Sequence, residues 1–71
     1  MINVELQVGD VLIGKINHCE LKIVEFKDEE TINGTTKIIV LDYEGRKLHE
    51  PYKRILHSAF KVIRDGKVVS D

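Results

Sequence analysis

The sequence predicts an all-β domain of five short antiparallel strands, for two reasons. Valine and isoleucine together make up 17 of the 71 residues, whereas alanine occurs once, at Ala59. β-Branched side chains favour strands because their χ1 freedom is restricted in a helix. Apolar residues also come in short runs, separated by the glycine, asparagine and aspartate residues that favour turns. The length of the chain also fixes the number of domains. A chain of 71 residues forms one domain with a thin core, and we expect that core in about residues 8–64.

Five segments have the composition and length of strands. They are, in chain order, Val11–Ile16, Glu20–Lys27, Thr35–Asp42, Arg46–Glu50 and Ala59–Ile63. The apolar residues of the second segment change phase between Ile23 and Val24, which predicts a bulge or a crossing between two sheets. The third segment is apolar on both faces, as is typical of a central strand that is covered on both sides.

The segments between the predicted strands contain turn signals. Asp28–Gly34 is acidic and ends in Asn-Gly, so we expect a loop there, and we expect a tight turn at Tyr43–Gly45. Pro51 cannot donate a hydrogen bond to a sheet, so the fourth strand is expected to stop before it. The segment Pro51–Ser58 is too short for a lasting α-helix, which predicts a 3₁₀ turn or a single helical turn.

Both ends of the chain, residues 1–7 and 65–71, are expected to be loose or to form edge strands, and Asp65-Gly66 is a candidate hairpin turn. The predicted core consists of apolar residues along the strands together with one residue of the helical turn. These residues are Val11, Ile13, Leu21, Ile23, Phe26, Ile38, Val40, Leu48, Leu56, Phe60 and Val62.

This order of elements resembles an SH3-like small β-barrel. The segment Val8–Val11, with the sequence Val-Gly-Asp-Val, is similar to the entry of many such barrels. The segment Ile55–Ile63, in which a helical turn and a histidine precede a Phe-Lys-Val-Ile strand, is similar to the end of small uncharacterised barrels in Firmicute bacteria and their phages. The resemblance covers about residues 8–64. It implies a five-stranded antiparallel barrel with one short 3₁₀ or helical turn before the last strand. The small size of the chain and its lack of recognised functional motifs also fit a phage or mobile-element product.

No motif in the sequence indicates an enzyme, a cofactor or a metal site. The chain lacks a glycine-rich phosphate loop, a zinc-protease motif and a nucleophile elbow. His18, Cys19, His49 and His57 lack the paired short spacings of a zinc site, and the adjacent His18 is poorly placed to act as a base for the Cys19 thiol. The acidic run Asp28–Glu30 lies on a predicted loop. We therefore expect a non-enzymatic protein without a cofactor or a catalytic residue.

Composition also bears on peptide recognition and on location. The chain has no tryptophan and four aromatic residues, and Tyr43, Pro51 and Tyr52 supply only a fragment of the aromatic groove with which SH3 domains bind Pro-rich peptides. No apolar run approaches the ~18 residues of a membrane span, and the N-terminal residues do not resemble a signal peptide. With a single cysteine, the protein is expected in the reducing cytoplasm and away from membranes.

Charge is distributed unevenly along the chain. Residues 1–42 hold 4 Lys and Arg against 8 Asp and Glu, a net charge of −4, and residues 43–71 hold 7 against 4, a net charge of +3. The basic half, with its two tyrosines, predicts a partner-binding set in which cations contact phosphates and tyrosines stack on bases. The members of this basic set are Tyr43, Arg46, Lys47, Tyr52, Lys53, Arg54, Lys61 and Arg64.

Two functions are compatible with these residues. The first hypothesis is a protein-binding module, because the edge strands of a small β-domain can pair with another chain and because the acidic and basic regions can steer a partner. The same edges predict a monomer or a weak homodimer that pairs through an edge strand. The alternative is a nucleic-acid-binding SH3-like or KOW-like module that uses the basic set, although such modules are generally strongly basic and this chain has a net charge of −1.

Overall fold

The computed structural model describes residues 1–71 as one antiparallel sheet of six strands with one short helix. The elements are β1 (Val11–Gly14), β2 (Glu20–Thr31), β3 (Gly34–Tyr43), β4 (Arg46–Pro51), α1 (Tyr52–Leu56), β5 (Phe60–Arg64) and β6 (Lys67–Ser70). The strands are hydrogen-bonded in the order β4-β3-β2-β1-β5-β6. The all-β class and the helical turn ahead of β5 are therefore confirmed. The sheet has six strands rather than five, and it is open, because no pairing joins β4 to β6.

The sixth strand arises from the hairpin turn at Asp65-Gly66. The φ angles of these two residues are +52° and +77°, the left-handed pair that a two-residue hairpin turn requires. The turn allows β6 to pair with β5, with Arg64 opposite Lys67. Glu44 and Gly45 have the same pair of conformations, at +50° and +84°, and make the turn predicted between β3 and β4.

The acidic segment Asp28–Gly34, which we expected to be a loop, belongs mostly to a hairpin. β2 continues to Thr31 and β3 begins at Gly34, so the turn consists of Ile32 and Asn33 alone. The Thr31 hydroxyl stabilises this turn by donating to the Gly34 carbonyl oxygen at 2.8 Å and accepting from the Asn33 N–H at 3.3 Å. The expectation failed because polarity on both faces is typical of loops, but it is equally compatible with a two-stranded ribbon that is exposed on both faces.

The phase change in β2 is a register shift, as predicted. Ile23 pairs with Leu41 and Glu25 pairs with Val40, which leaves Val24 without a partner. The extra residue places Ile23 and Phe26 on the same face of the sheet although they are three positions apart. The bulge thus bends the longest strand around the core.

The core is a cluster of nine buried residues contributed by the sheet, the helix and the N-terminal segment. They are Ile2, Leu6, Leu12, Leu21, Ile23, Ile39, Leu41, Ile55 and Val62. Six predicted core residues are only partly buried, namely Val11, Ile13, Phe26, Leu48, Leu56 and Phe60. Ile38 and Val40 are buried as predicted but do not belong to the cluster, since successive residues of a strand point to opposite faces.

The first seven residues cover the open side of the sheet. We call Met1–Gln7 the N-terminal arm. It forms no strand, but Ile2 and Leu6 are buried, and each is only 3% exposed to solvent. The arm contacts the helix and one edge strand, because Ile2 N–H donates to the Leu56 carbonyl of α1 at 2.9 Å and the Ser70 hydroxyl of β6 donates to Asn3 Oδ1 at 2.9 Å. The arm and α1 together therefore take the place of the strand pairing that would close a barrel.

A buried ion pair joins the turn that follows the arm to the end of β5. Asp10 is 1% exposed, and its two carboxylate oxygens accept hydrogen bonds from Arg64 Nε and Nη2, both at 2.8 Å. The same carboxylate accepts the Gln7 N–H at 2.9 Å, and Arg64 Nη2 also donates to the Glu5 carbonyl oxygen at 2.9 Å. Hydrogen bonding to Arg64 lowers the pKa of the Asp10 carboxyl below its ordinary value, and the pKa of Arg64 is raised in turn.

Candidate functional surfaces

The predicted basic set is spread over the molecule rather than gathered in one patch. Arg46 and Lys47 begin β4, whereas Lys53 and Arg54 lie in α1 beyond its other end. Between Arg46 and Pro51, where α1 follows, β4 spans five residue steps or about 17 Å. Lys61 lies on β5, and β3, β2 and β1 stand between β4 and that strand in the sheet.

Three of the six cations in the basic set already have carboxylate partners. Lys47 Nζ lies 2.8 Å from Asp42 Oδ1, and Arg54 Nη1 lies 3.3 Å from Glu50 Oε2. Arg64 forms the bidentate ion pair with Asp10 described above. The hydrogen bond from Lys47 also lowers the pKa of the Asp42 carboxyl below its ordinary value. The Lys47 and Arg54 pairs are exposed and would exchange readily for another anion. Arg64 is different, because releasing it would leave the buried Asp10 carboxylate without its counter-ion.

The two tyrosines of the basic set are packed against the protein. Tyr43 is partly buried at the end of β3. The ring of Tyr52 packs on Phe26, with centroids 5.8 Å apart and planes inclined at 54°, and its hydroxyl accepts the Leu6 N–H at 3.2 Å. Lys37 Nζ sits 4.4 Å from the centre of the Tyr52 ring. The Tyr52 ring is therefore a structural contact between the sheet, the helix and the N-terminal arm, and its faces are largely taken.

The turn between β1 and β2 carries the histidine and cysteine that the sequence drew attention to. It borders an open groove of about 750 Å³ whose lining includes His18, Cys19, Tyr43 and charged residues of both signs. His18 has a φ of +58°, and its N–H donates to the Gly14 carbonyl at 3.0 Å, which closes the turn. No three His, Cys, Asp or Glu side chains are close enough to hold a metal ion together. Nothing about the groove points to a particular ligand.

The most distinctive surface is the outer part of the β2–β3 hairpin. We call residues 27–37 the β2–β3 ribbon. On one side, β1 reaches only as far as Lys22, and on the other side β4 ends opposite Ile38. The ribbon therefore has no strand along either edge. Residues 27–35 are exposed on both faces, and Ile32 at the tip is 100% exposed.

The root of the ribbon is anchored by aromatic side chains. Lys37 Nζ lies 5.0 Å from the centre of the Phe26 ring and 4.4 Å from that of Tyr52, within the range of cation–π attraction. An isolated two-stranded hairpin is only marginally stable in water, so an anchor of this kind is needed to hold the ribbon in one direction. The sequence indicated neither the ribbon nor its anchor. The alternation of Lys37, Ile39 and Leu41 could have placed Lys37 on the core face of β3.

The ribbon carries negative charge towards its tip. Residues 28–36 contain Asp28, Glu29 and Glu30 and no Lys or Arg, so their net charge is −3. Because successive residues of a strand alternate between faces, these carboxylates are displayed on both faces of the ribbon. Acidic residues along an unpaired edge discourage pairing with an identical edge, since like charges would lie side by side.

Comparisons with protein-family models, with curated proteins and with solved structures find no match for this chain. The only helix, α1, has five residues and is too short and too polar to cross a membrane.

Proposed function

We propose that this chain is a non-enzymatic protein-binding module and that the β2–β3 ribbon is the element that contacts its partner. One observation carries the proposal, namely a ribbon with both edges unpaired and a fully exposed isoleucine at its tip. The ribbon adds nothing to the core, because residues 27–35 are exposed. A recognition role accounts for an element that the fold does not need.

The chemistry of the ribbon defines the partner it fits. Burying a fully exposed isoleucine in an apolar pocket contributes about 1.5–3 kcal/mol. The unpaired backbone groups of either edge can add to a partner's sheet. The three carboxylates near the tip favour a partner with a basic surface around that pocket, and they speed association with it at low salt.

We include the SH3-like resemblance in the proposal, as a more detailed description of the all-β fold. Omitting β6, the strand order is β4-β3-β2-β1-β5, and a bulge bends β2 near its middle. A short helix precedes β5. These features match the order of elements from which the resemblance was inferred, whereas the open side covered by the N-terminal arm was not part of it.

Nucleic acid is not favoured as the ligand. The basic set lies in separate places on the molecule, three of its cations are paired, and the ring of Tyr52 contacts Phe26 and Lys37. Binding to single strands generally needs a continuous basic groove with free aromatic faces.

The proposal is tested by photo-crosslinking in cells with a benzophenone amino acid at position 32. The matched control carries the same amino acid at position 16, because Ile16 is also an isoleucine in a turn and is 87% exposed. We expect specific protein adducts from position 32 and none of them from position 16. The same adducts from both positions would contradict the proposal, because surface exposure alone would then explain the capture.

The captured partner is then measured against point variants. We expect Ile32→Ala to weaken binding about tenfold, and Ile16→Ala to leave it unchanged. A separate titration of labelled DNA and RNA by fluorescence anisotropy at low and moderate salt tests the alternative. Binding that falls steeply with salt and is lost in Lys53→Ala/Arg54→Ala would overturn the proposal in favour of nucleic acid.

A further inference from the structure

The N-terminal arm lies on the protein in the manner of a bound extended peptide. Ile2, Val4 and Leu6 pack against the core, while the residues between them are exposed. The arm nevertheless belongs to no strand. Apart from the turn that follows it, its one backbone–backbone hydrogen bond is the bond from Ile2 to the carbonyl of Leu56.

The groove that receives the arm is built from side chains of three other elements. Tyr52 of α1 accepts the Leu6 N–H at 3.2 Å, and Ser70 of β6 donates to Asn3 Oδ1 at 2.9 Å. Arg64 at the end of β5 donates to a backbone carbonyl of the arm at 2.9 Å. The arm makes none of the strand pairings of the sheet, so the sheet can keep all its pairings when the arm leaves.

A tight turn connects the arm to β1. The Asp10 N–H donates to the Gln7 carbonyl at 3.1 Å, and Gly9 has a φ of +97°, so the chain reverses direction within four residues. Short hinge segments of this kind favour exchange of the terminal element between copies, because the extended hinge no longer has to make the turn. Opening the turn breaks this backbone hydrogen bond and separates the Gln7 N–H from the Asp10 carboxylate of the same chain, which it contacts at 2.9 Å. Every contact between arm and groove is re-formed in the exchanged state.

We propose that the groove between α1 and β6 accepts the N-terminal arm of a second copy of this chain, so that two copies exchange arms in a symmetric dimer. A second copy is the proposed partner because its arm has the same apolar spacing and the same hydrogen-bonding groups as the arm that occupies the groove in the structure. The closed monomer and the exchanged dimer contain the same contacts between arm and groove, and they differ only at the hinge. The balance between monomer and dimer therefore depends on how the protein concentration compares with the effective concentration of the tethered arm, which is about millimolar.

Disulfide trapping tests the exchange. In a Cys19→Ser background, Asn3→Cys/Ser70→Cys places two thiols where the side chains of Asn3 and Ser70 are in hydrogen-bond contact. Equal amounts of ¹⁴N- and ¹⁵N-labelled protein are mixed under reducing conditions, equilibrated and then oxidised. We expect disulfides between positions 3 and 70 that join a light chain to a heavy chain. Their fraction should rise about tenfold for each tenfold increase in concentration while the dimer is the minor species.

The matched control is Asn3→Cys/Val68→Cys in the same background. Val68 lies on β6, two residues from Ser70, but it is exposed and outside the core cluster, so its disulfides report random collisions. A yield of mixed disulfides no greater than that of the control, or cross-links confined to single chains at every concentration, would overturn the proposal.

Amide hydrogen exchange on the unmodified protein provides a test that depends on no substitution. Exchange of arms requires the arm to open without global unfolding. We expect the amides of Ile2 and Leu6 to exchange about a hundredfold faster than that of Ile23, a fully buried residue of β2 whose N–H donates to the Asp10 carbonyl. Equal rates for the three amides would mean that the arm leaves only when the whole protein unfolds, and arm exchange under native conditions would be ruled out.

Discussion

Single residues in turns make contacts that reach well beyond the turns. Asp10, which follows Gly9 in the Val-Gly-Asp-Val segment, is the buried partner of Arg64, 54 positions away. Its backbone carbonyl, just before β1, also accepts the Ile23 N–H of β2 at 2.9 Å. Sequence patterns identify Arg64 as a basic surface residue, since no local feature links the two side chains.

The Asp10–Arg64 pair predicts a characteristic loss of stability in acid. The pKa of Asp10 is lowered in the folded state, so its contribution is complete above the unfolded pKa of about 3.9 and is lost as the pH falls through the lower folded value. Asp10→Asn should cost about 2–3 kcal/mol at pH 7, less than a fully buried pair because the Arg64 side chain is 27% exposed. Urea unfolding between pH 7 and pH 2 should show a flatter acid limb for the variant.

Asp42 is the control for this prediction. Its carboxyl pKa is also lowered, by Lys47, but this pair lies at the surface. Asp42→Asn should therefore change stability at pH 7 much less than Asp10→Asn, and its effect should shrink further in high salt. Equal losses in the two variants would show that burial of the Asp10 pair does not matter.

Gly14 is needed because there is no room for a side chain at this position, and not because its backbone adopts a conformation that only glycine favours. A Cβ at this position would meet the Asn17 side-chain oxygen and would lie 3.3 Å from Cys19 Sγ. Asn17 would have to give up its 3.2 Å hydrogen bond from the Cys19 N–H. We expect Gly14→Ala to destabilise the protein by about 1–2 kcal/mol in urea unfolding, and to cost less in an Asn17→Ala background. An unchanged cost in that background would locate the strain elsewhere.

At the scale of elements, strand positions were predicted better than strand faces. The segments assigned to β1, β3 and β5 from apolar runs overlap the observed strands, but the face of β1 that points inward was wrong. Val11, Leu12 and Ile13 are all apolar, so alternation cannot decide between the two faces. Leu12 lies between Leu21 and Val62 in the sheet, and these two neighbours select it for the core.

The observed face of β1 is tested by alanine substitution. Leu12→Ala should cost about 3–4 kcal/mol because Leu12 is fully buried in the cluster. Ile13→Ala should cost about 1 kcal/mol, since Ile13 is only partly buried and lies outside that cluster. Urea midpoints in the reverse order would mean that the strand presents its other face to the core.

At the scale of the whole molecule, the open sheet is completed by its first seven residues. Leu6→Ala should lower the free energy of unfolding by about 2–4 kcal/mol, because it removes a buried side chain from the groove between α1 and β6. The control Val8→Ala should change it by less than about 0.5 kcal/mol, since Val8 is 60% exposed. Thermal unfolding followed by circular dichroism measures both. Similar midpoints for the two variants would show that the arm does not support the fold.

The sequence by itself determined the β class, the bulge in β2, the helical turn before β5 and the tight turns before β4 and β6. These features depend on local chemistry, namely β-branched side chains, a phase change in apolar residues, Pro51, and glycines that follow turn-forming residues. They can be read along the chain because each involves neighbours only a few residues apart.

The tertiary structure decided which surfaces are available. It separated the residues of the basic set and assigned Arg64 to Asp10, although the sequence placed them in one basic half. It also turned a predicted acidic loop into a projecting ribbon and seated a predicted loose arm in the core. The physical reason is the same in each case. Burial, ion pairing and unpaired edges depend on which distant strands meet, and a two-residue repeat of apolar side chains carries no information about its partners.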